Sequence, residues 1–232
     1  MKQNYSTLLF DADGTLFNYE DSERQALLKT FEHFSIIRDE EDVITGYRLI
    51  NHELWKKFES GIISLPALRT ERFSRLFDSL ELQFDPHEFG EIYVQYLGEG
   101  KKLLPDAWEI VEKLSASFDL ALITNGIAEV QHRRLKASGL IKFFPVVVIS
   151  EEIGFPKPDP MFFKIALQKL DNLPKENLLI IGDSLTSDIA GGNLSGIDTC
   201  WFNPESKKND TQYIPTYEIK KLTELVTLFS YD

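Results

Sequence analysis

The chain has a single cysteine, Cys200, among its 232 residues. One thiol cannot form an internal disulfide, so a disulfide-stabilised fold is excluded and a reducing compartment is expected. The neighbouring Trp201 and Phe202 are residue types typical of a strand. This context predicts a buried thiol that packs in the core, not a nucleophile.

Long apolar runs and an excess of positive charge are also missing. No segment approaches the roughly 20 consecutive apolar residues of a membrane span, and Met1 to Tyr5 lack the apolar core of a signal peptide. We therefore expect a cytoplasmic protein with no membrane partner. The formal net charge of -12 disfavours a nucleic-acid polymer as partner, because binding one depends on clustered Lys and Arg.

The length of 232 residues and the hydrophobic content of 43% allow one large domain or a core domain with a smaller insertion. From residue 18 to residue 98, apolar residues recur every three or four positions, which predicts four amphipathic helices. Gly61 is expected to end the second helix, and Pro66 and Pro86 suit the first turns of the third and fourth. Residues 18–98 are therefore predicted to form a helical subdomain.

The remaining residues, 1–17 and 99–232, alternate helical segments with short apolar runs. The apolar runs are residues 8–10, 120–124, 146–150, 178–182 and 199–202. Continuous apolar strands separated by helices are typical of a parallel sheet covered on both faces. We therefore predict an α/β fold, a doubly wound five-stranded parallel sheet with the helical subdomain inserted after the first strand. Residues 217–229 are predicted to form a closing helix.

The first apolar run ends in the pattern Asp11-Ala12-Asp13-Gly14-Thr15. In a strand, alternation places Asp11 and Asp13 on one side, and Gly14 lets the chain turn away. Asp and Gly are also common turn residues, so the pattern alone does not separate a site from a turn. A calcium-binding loop is excluded by its spacing, because position 22 is Ser where such a loop needs Glu.

The carboxyl ends of parallel strands meet at one edge of a sheet. The polar residues that follow the predicted strands are therefore expected to be neighbours: Asp11, Asp13, Thr124, Asn125, Gly126, Lys157, Asp183, Ser184 and, one turn later, Asp188. Taken singly, Thr124 and Ser184 could be helix N-caps. Lys157 could be a solvated loop residue, and Asp188 a surface acid or a group that orients Asp183. Their combination at successive strand ends favours phosphoryl transfer.

The chemistry of phosphate esters explains why these residue types would be needed. A phosphate monoester dianion repels a carboxylate, and oxygen ligands from Asp11, Asp183 and a backbone carbonyl suit the Mg²⁺ ion that would offset this repulsion. Asp11 is the candidate nucleophile. Asp13 is the candidate that protonates the leaving oxygen and later deprotonates water. The groups expected to surround the phosphoryl oxygens are Thr124, Asn125, Gly126 and Lys157.

These residues resemble the motifs of the haloacid-dehalogenase-like (HAD) hydrolases. The four stretches are 11–15, 124–126, Lys157-Pro158, and 182–184 with Asp188. The similarity spans essentially the whole chain, and the helical insertion resembles that family's C1 cap. It implies a Rossmann-like core, nucleophile Asp11, acid/base Asp13, and Mg²⁺ held by Asp11, the Asp13 carbonyl and Asp183. It also implies a cap that closes over the phosphate and selects the leaving group. The acid at position 13 argues against the dehalogenase and phosphonatase branches.

Within that family the chain resembles bacterial pyrimidine 5'-nucleotidases with a C1 cap. The stretches that carry this likeness are Asn51 with Leu54-Trp55, Gly61 followed by Arg72-Phe73, residues 124–126 with Gln131 and Arg134-Leu135, residues 148–152, and residues 188–201. The likeness implies UMP, dUMP or dTMP as substrate. In the cap, the candidate base contacts are Asn51, His52, Trp55, Phe58 and Arg72. Trp55 and Phe58 also fit the apolar core of the cap.

Two other functions stay open. The same chemistry could act on another small phosphometabolite, such as phosphoglycolate or a sugar phosphate, and could belong to a phosphomutase. A receiver-like signalling module also carries a phosphorylated Asp and Mg²⁺ on a doubly wound sheet. The cap insertion and Asp13 argue against a receiver, because a receiver needs neither a lid nor a leaving-group acid. The sequence is compatible with a monomer or a homodimer.

Overall fold

The computed structural model describes residues 5–229; the segment 1–4, which entered the prediction on secretion, lies outside them. The chain divides into two compact units. One combines Met1–Asn18 with Lys101–Asp232 and is called the α/β unit here. The other, Tyr19–Gly100, is called the helical unit.

The described helical unit consists of the four predicted helices. They are α1 (Tyr19–His33), α2 (Glu40–Glu59), α3 (Leu65–Leu80) and α4 (Pro86–Leu97). Asp39, Ser64 and Asp85 cap the last three, because each side chain accepts a hydrogen bond from a backbone N–H of the first turn. A buried aromatic cluster that includes Phe73 and Phe89, with ring centroids 5.0 Å apart, holds the unit together.

The α/β unit contains one parallel sheet. Its strands are β1 (Thr7–Phe10), β2 (Asp119–Thr124), β3 (Val146–Ile149), β4 (Leu178–Gly182), β5 (Asp198–Phe202) and β6 (Tyr217–Ile219). Their order across the sheet is β3-β2-β1-β4-β5-β6, and every neighbouring pair is parallel. The predicted doubly wound α/β fold is confirmed.

Helices cover both faces of this sheet. They are α5 (Ala107–Leu114), α6 (Ala128–Ser138), α7 (Ser150–Ile153), α8 (Pro160–Lys169), α9 (Ala190–Ser195) and α10 (Glu224–Phe229). Leu8 and Phe10 pack in one buried cluster and Leu9 in another, which is why β1 is a continuous apolar run. Across residues 5–229, no helix combines the length and apolar character that a membrane crossing requires.

The predicted closing helix over 217–229 is wrong in its first part. Residues 217–219 form β6 beside β5, and α10 begins only at Glu224. Glu218 is exposed and Ile219 is buried, the alternation expected of a strand. A strand of three residues is too short for its two-residue alternation to be recognised, because Ile219, Leu222 and Leu225 also follow the three-residue spacing of a helix. The sheet of residues 5–229 therefore has six strands rather than the predicted five.

Cys200 lies on β5 with none of its surface exposed. Burial raises the pKa of its thiol to about 12. A thiol with so high a pKa stays protonated near neutral pH and is a poor nucleophile. The prediction of a buried core thiol is confirmed.

Candidate active site

Asp11 follows β1 directly, and β1 lies in the middle of the sheet between β2 and β4. The Asp11 backbone N–H donates to the Ile181 carbonyl at 2.8 Å. This bond continues the pairing of β1 with β4 and fixes the point from which the side chain starts. Asp11 is 6% exposed. The residue predicted to be the nucleophile therefore lies buried at the centre of the sheet edge formed by the strand ends.

Lys157 is buried against Asp11 and is not solvated. Only 1% of the surface of Lys157 is exposed. Its Nζ donates to Asp11 Oδ1 at 2.7 Å, to Asp188 Oδ1 at 2.7 Å and to the Ile123 carbonyl at 2.9 Å. These acceptors occupy all the donors of the ammonium group. The solvated-loop interpretation of Lys157 is wrong. The surface interpretation of Asp188 is also wrong, because Asp188 is 0% exposed.

The protonation of Asp11 depends on this environment. Burial raises the pKa of Asp11 to about 7, while the Lys157 ammonium opposes the shift and the Asp188 carboxylate adds to it. Asp11 Oδ2 accepts a hydrogen bond from Thr15 Oγ1 at 3.3 Å. A further positive charge beside Asp11 would favour its ionised, nucleophilic form.

Asp11, Asp183 and Asp188 form an acidic cluster whose carboxylate oxygens lie within 4.8 Å of one another. Asp183 is the exposed member, and its carboxylate lies against Gly14. A Cβ at position 14 would approach Asp183 Oδ2 to 2.4 Å, and Gly14 has a φ of +82°. Both the turn and the close approach therefore require glycine. Clustered carboxylate oxygens are the ligands that hard divalent cations prefer.

Hydrogen bonds fix the loop that follows β4. Asp188 Oδ2 accepts from the Ser184 backbone N–H at 3.1 Å, and Ser184 is the N-cap of the π-helical turn Leu185–Ile189. The N-cap interpretation of Ser184 is therefore confirmed. From β5, Trp201 Nε1 donates to the Asp183 carbonyl at 2.9 Å. This role of Trp201 was not predicted, although its place on the strand next to β4 made contact with that loop possible.

Asn125 joins the loop after β2 to the loop that carries Lys157. Its Nδ2 donates to the Lys157 carbonyl at 2.9 Å, and its Oδ1 accepts from the Lys157 N–H at 2.7 Å. The Asn125 side chain therefore positions Lys157. Thr124 Oγ1 accepts from the Gly126 N–H at 3.0 Å. The N-cap residue of α6 is Ile127, so the N-cap interpretation of Thr124 is wrong.

Two partners of Asp13 were not predicted. Gln131 Nε2 donates to Asp13 Oδ2 at 2.5 Å, and Arg134 Nη1 donates to Asp13 Oδ1 at 2.5 Å. Gln131 and Arg134 lie three residues apart on α6, a spacing that places both side chains on one helix face. That spacing, on the helix that follows residues 124–126, was the available clue in the sequence.

Two of the predicted base contacts are core residues of the helical unit. Arg72 is 1% exposed, and its guanidinium lies over the rings of Phe73 and Tyr93 at 4.9 and 4.7 Å. Phe58 packs in a buried cluster with Leu54. Burial removes Arg72 from the residues that could contact the edge of a base. For Phe58 the core alternative is confirmed.

The other candidates in this unit, Asn51, His52 and Trp55, line a groove of about 560 Å³ together with Tyr19 and Glu23. Asn51 is 4% exposed, and its Nδ2 donates to Glu23 Oε2 at 3.1 Å and to Tyr19 Oη at 3.4 Å. Within the part of the chain that the structure describes, the buried Asn51 Oδ1 has no hydrogen-bond partner. A buried acceptor without a donor costs free energy. Because this atom has almost no accessible surface, an N–H of a ligand could bond to it only after the side chains around it move.

Comparisons with known proteins place the chain in a family. The model of the haloacid dehalogenase-like hydrolases matches residues 5–196. The HAD-hydrolase YfnB of Bacillus subtilis is 40% identical over 223 residues, which are 96% of this chain and 94% of YfnB. The pyrimidine 5'-nucleotidase PynA of Streptococcus pneumoniae is 38% identical, with 96% of this chain and 94% of PynA covered. The pyrimidine 5'-nucleotidase YjjG of Escherichia coli is 31% identical, with 95% of this chain and 96% of YjjG covered.

The fold is similar to a crystal structure of YfnB from Bacillus subtilis, which is bound to magnesium and is described as revealing interdomain movement. The TM-score is 0.93 at 39% identity, over 98% of this chain and 100% of that chain. The family match includes every residue of the α/β unit that was predicted to carry chemistry, from Asp11 to Asp188. The chain therefore belongs to the haloacid dehalogenase-like hydrolase family, and it is a hydrolase.

Proposed function

We propose that this hydrolase is a Mg²⁺-dependent phosphomonoesterase that removes the 5'-phosphate of pyrimidine nucleoside monophosphates through an aspartyl phosphate. The observation that carries the proposal is the buried ammonium of Lys157, which bonds Asp11 and Asp188 at the end of β1. This bond holds the Asp11 carboxylate in place at the end of the strand. A second carboxylate, Asp13, lies two residues later in the chain. The similarity to PynA and YjjG supports the substrate class.

The acidic cluster supports a divalent cation at this site. Asp11, Asp183 and Asp188 form one cluster, in which the Lys157 ammonium bonds Asp11 and Asp188. Burial of the carboxyl group raises the pKa of Asp11 and of Asp183, so a cation is needed to keep all three carboxylates ionised when a phosphate dianion arrives. Clustered oxygen donors fit Mg²⁺, and Asp11, Asp183 and the Asp13 carbonyl would hold it. When bound, the ion would neutralise charge between phosphate and carboxylate. The magnesium-bound YfnB structure supports this choice of ion.

The side chains of the site account for two displacements at phosphorus. In the first, an Asp11 oxygen attacks phosphorus, the ester P–O bond breaks, and Asp13 gives its proton to the leaving oxygen. In the second, a water oxygen attacks the same phosphorus while Asp13 accepts the proton of that water. The bond to Asp11 then breaks and phosphate is released. Lys157 keeps Asp11 oriented throughout, and Thr124 stabilises charge on the phosphoryl oxygens.

The groove of the helical unit supports selection of the base. Trp55 offers a ring on which a base can stack, and Asn51 Oδ1 offers a buried acceptor without a partner among the described residues. Uracil and thymine carry an N3–H that can donate to such an acceptor, whereas N3 of cytosine is itself an acceptor. We therefore expect UMP, dUMP and dTMP to be preferred over CMP and dCMP.

A panel of phosphorylated metabolites tests this function. With Mg²⁺, phosphate release should be fastest from UMP, dUMP or dTMP, with kcat/KM at least about tenfold above that for CMP. EDTA should abolish turnover, and added Mg²⁺ should restore it. A panel led by phosphoglycolate or hexose phosphates would contradict the nucleotidase proposal. Undiminished turnover in EDTA would contradict the requirement for a metal.

The substitution Trp55→Ala tests the groove. Loss of the stacking ring should lower kcat/KM for UMP by about tenfold. It should change kcat/KM for p-nitrophenyl phosphate, which has no base, by less than about threefold. Phe58→Leu is the control, because Phe58 is a neighbouring aromatic residue of the core and its substitution should affect both substrates equally. Equal losses on both substrates for Trp55→Ala would assign Trp55 to the core as well.

A further inference from the structure

The Asp13 carboxylate is anchored to one helix at both of its oxygens. Arg134 and Gln131, both on α6, donate to Oδ1 and Oδ2, each at 2.5 Å. The Arg134 side chain is fully buried, whereas the Asp13 side chain keeps 24% of its surface exposed. The anchor is thus enclosed in protein, while the group it holds stays accessible.

The anchoring groups are themselves fixed. The guanidinium of Arg134 lies over the ring of Phe17 at 4.4 Å. Phe17 closes the loop that carries Asp13, because its N–H donates to the Ala12 carbonyl at 2.9 Å and its carbonyl accepts from the Gly14 N–H at 3.0 Å. Stacking on a ring held in this way leaves the guanidinium little freedom to rotate.

The Gln131 side chain is also held in place, by the loop after β2. It lies against Gly126, where an added Cβ would come within 2.1 Å of Gln131 Nε2. The absence of a side chain at position 126 therefore makes room for the bond from Gln131 to Asp13. These contacts link the loop after β2, helix α6 and the carboxylate of Asp13.

We infer that Arg134 and Gln131 are positioning residues that hold the Asp13 carboxylate where it exchanges a proton with the leaving oxygen and then with water. This inference rests on the proposed function. Each carboxylate oxygen has acceptor capacity beyond one hydrogen bond, so the two bonds to α6 leave capacity for the reacting group. Fixed orientation matters because proton transfer requires the donor and acceptor atoms to lie within hydrogen-bond reach.

The competing explanation is that the Arg134–Asp13 ion pair only stabilises the fold. Substrates with different leaving groups distinguish the two explanations. A nucleoside alkoxide is a poor leaving group that needs a proton, whereas p-nitrophenolate departs readily as an anion. Misplacing Asp13 should therefore slow transfer from UMP much more than transfer from p-nitrophenyl phosphate. A structural defect would slow both alike.

The experiment uses Arg134→Met and Gln131→Leu in the full chain. With UMP, we expect the rate of aspartyl-phosphate formation in a rapid quench to fall 10-fold to 100-fold, within the range that general acid–base catalysis contributes. With p-nitrophenyl phosphate, the rate of the nitrophenolate burst should change by less than about threefold. The later steady-state rate should fall, because Asp13 also accepts the proton of the attacking water. Arg133→Met is the matched control, because Arg133 is 51% exposed and pairs with Glu129 on the same helix; it should keep wild-type rates.

Several outcomes would overturn the inference. These are equal losses in both transfer rates, no loss with UMP in either variant, or the same losses in Arg133→Met. Gln131→Leu leaves no charged group without a partner, so it keeps the test valid if Arg134→Met does not fold. Asp13→Asn identifies a failure of the proposed function itself. If that variant keeps wild-type activity on UMP, the acid/base assignment fails, and the positioning roles fail with it.

Discussion

Replacing Asp11 with Asn is expected to lower phosphate release by on the order of 10⁴-fold or more. The amide of Asn is not a nucleophile toward phosphorus, so no aspartyl phosphate can form at this position. Turnover of UMP and acid-quench trapping of the phosphoenzyme measure the two effects. Asp119→Asn is the matched control, because Asp119 is an exposed Asp at the start of β2 and should be dispensable. Appreciable turnover in Asp11→Asn would overturn the nucleophile assignment.

The same substitution is expected to stabilise the metal-free protein at pH 8. Burial raises the pKa of Asp11 from its ordinary value of 3.8 to about 7 in the folded chain. The folded state therefore holds this proton more tightly, and the stabilisation from a protonated Asp11 is present below about pH 4 and is lost as the pH rises through 7. In EDTA at pH 8, Asp11→Asn should raise the free energy of unfolding by on the order of 2 to 4 kcal/mol.

Denaturant unfolding at two pH values measures this effect. The stability difference between Asp11→Asn and the wild type should disappear below about pH 3, where the wild-type carboxyl is protonated in both the folded and the unfolded state. Mg²⁺ at pH 8 should stabilise the wild type more than the variant, because binding to the folded state adds stability. A variant less stable than the wild type in EDTA at pH 8 would contradict burial as the cause of the raised pKa.

Lys157→Met is expected to reduce both activity and stability. It leaves the buried carboxylates of Asp11 and Asp188 without their shared cation, and breaking a buried ion pair from one side costs about 3 to 5 kcal/mol. Phosphate release should fall on the order of 10³-fold, because Asp11 loses the donor that orients it. Urea unfolding and UMP turnover measure the two losses. Lys164→Met is the matched control, because Lys164 is exposed on α8 and should be neutral.

A second substitution separates charge from packing as the origin of the stability loss. In the Lys157→Met background, Asp188→Asn removes one buried charge and keeps an oxygen that can accept the Ser184 N–H. The double variant should therefore be more stable than Lys157→Met by about 1 to 3 kcal/mol. Activity should not return, because the ammonium beside Asp11 is still missing. A double variant no more stable than Lys157→Met would attribute the loss to packing of the lysine side chain.

The place of the site could be predicted from the sequence because topology determines it. Once the apolar runs are assigned to parallel strands, the residues that follow them must meet at one edge. Asp11 and Asp183 follow the adjacent strands β1 and β4, and Thr124 ends β2 on the other side of β1. No side-chain geometry is needed for that step, so Asp11, Thr124 and Asp183 could all be assigned to the edge in advance.

Which side chains contact one another could not be predicted, because it depends on packing. A lysine between two prolines is compatible with full exposure, yet Lys157 is buried because Asp11, Asp188 and the Ile123 carbonyl satisfy its ammonium. Arg72 shows the same limit in the helical unit, where the rings of Phe73 and Tyr93 enclose its guanidinium. When a charged residue follows the three- or four-residue spacing of a helix's apolar side chains, the sequence does not show whether its side chain is buried in the core or exposed to solvent.

The position of the insertion also constrains the order in which the chain folds. β1 pairs on both sides with strands from beyond the helical unit, since Thr7 is in register with Asp119 on one side and with Leu178 on the other. The helical unit is one continuous stretch, 19–100, and can complete its contacts while the chain is still being synthesised. On the ribosome, β1 can be paired on both sides only after β4 has emerged, and Lys157 can bond both Asp11 and Asp188 only after Asp188 has emerged. The reaction centre is therefore completed only after the helical unit, β4 and Asp188 have all been synthesised, although its nucleophile precedes every one of them in the chain.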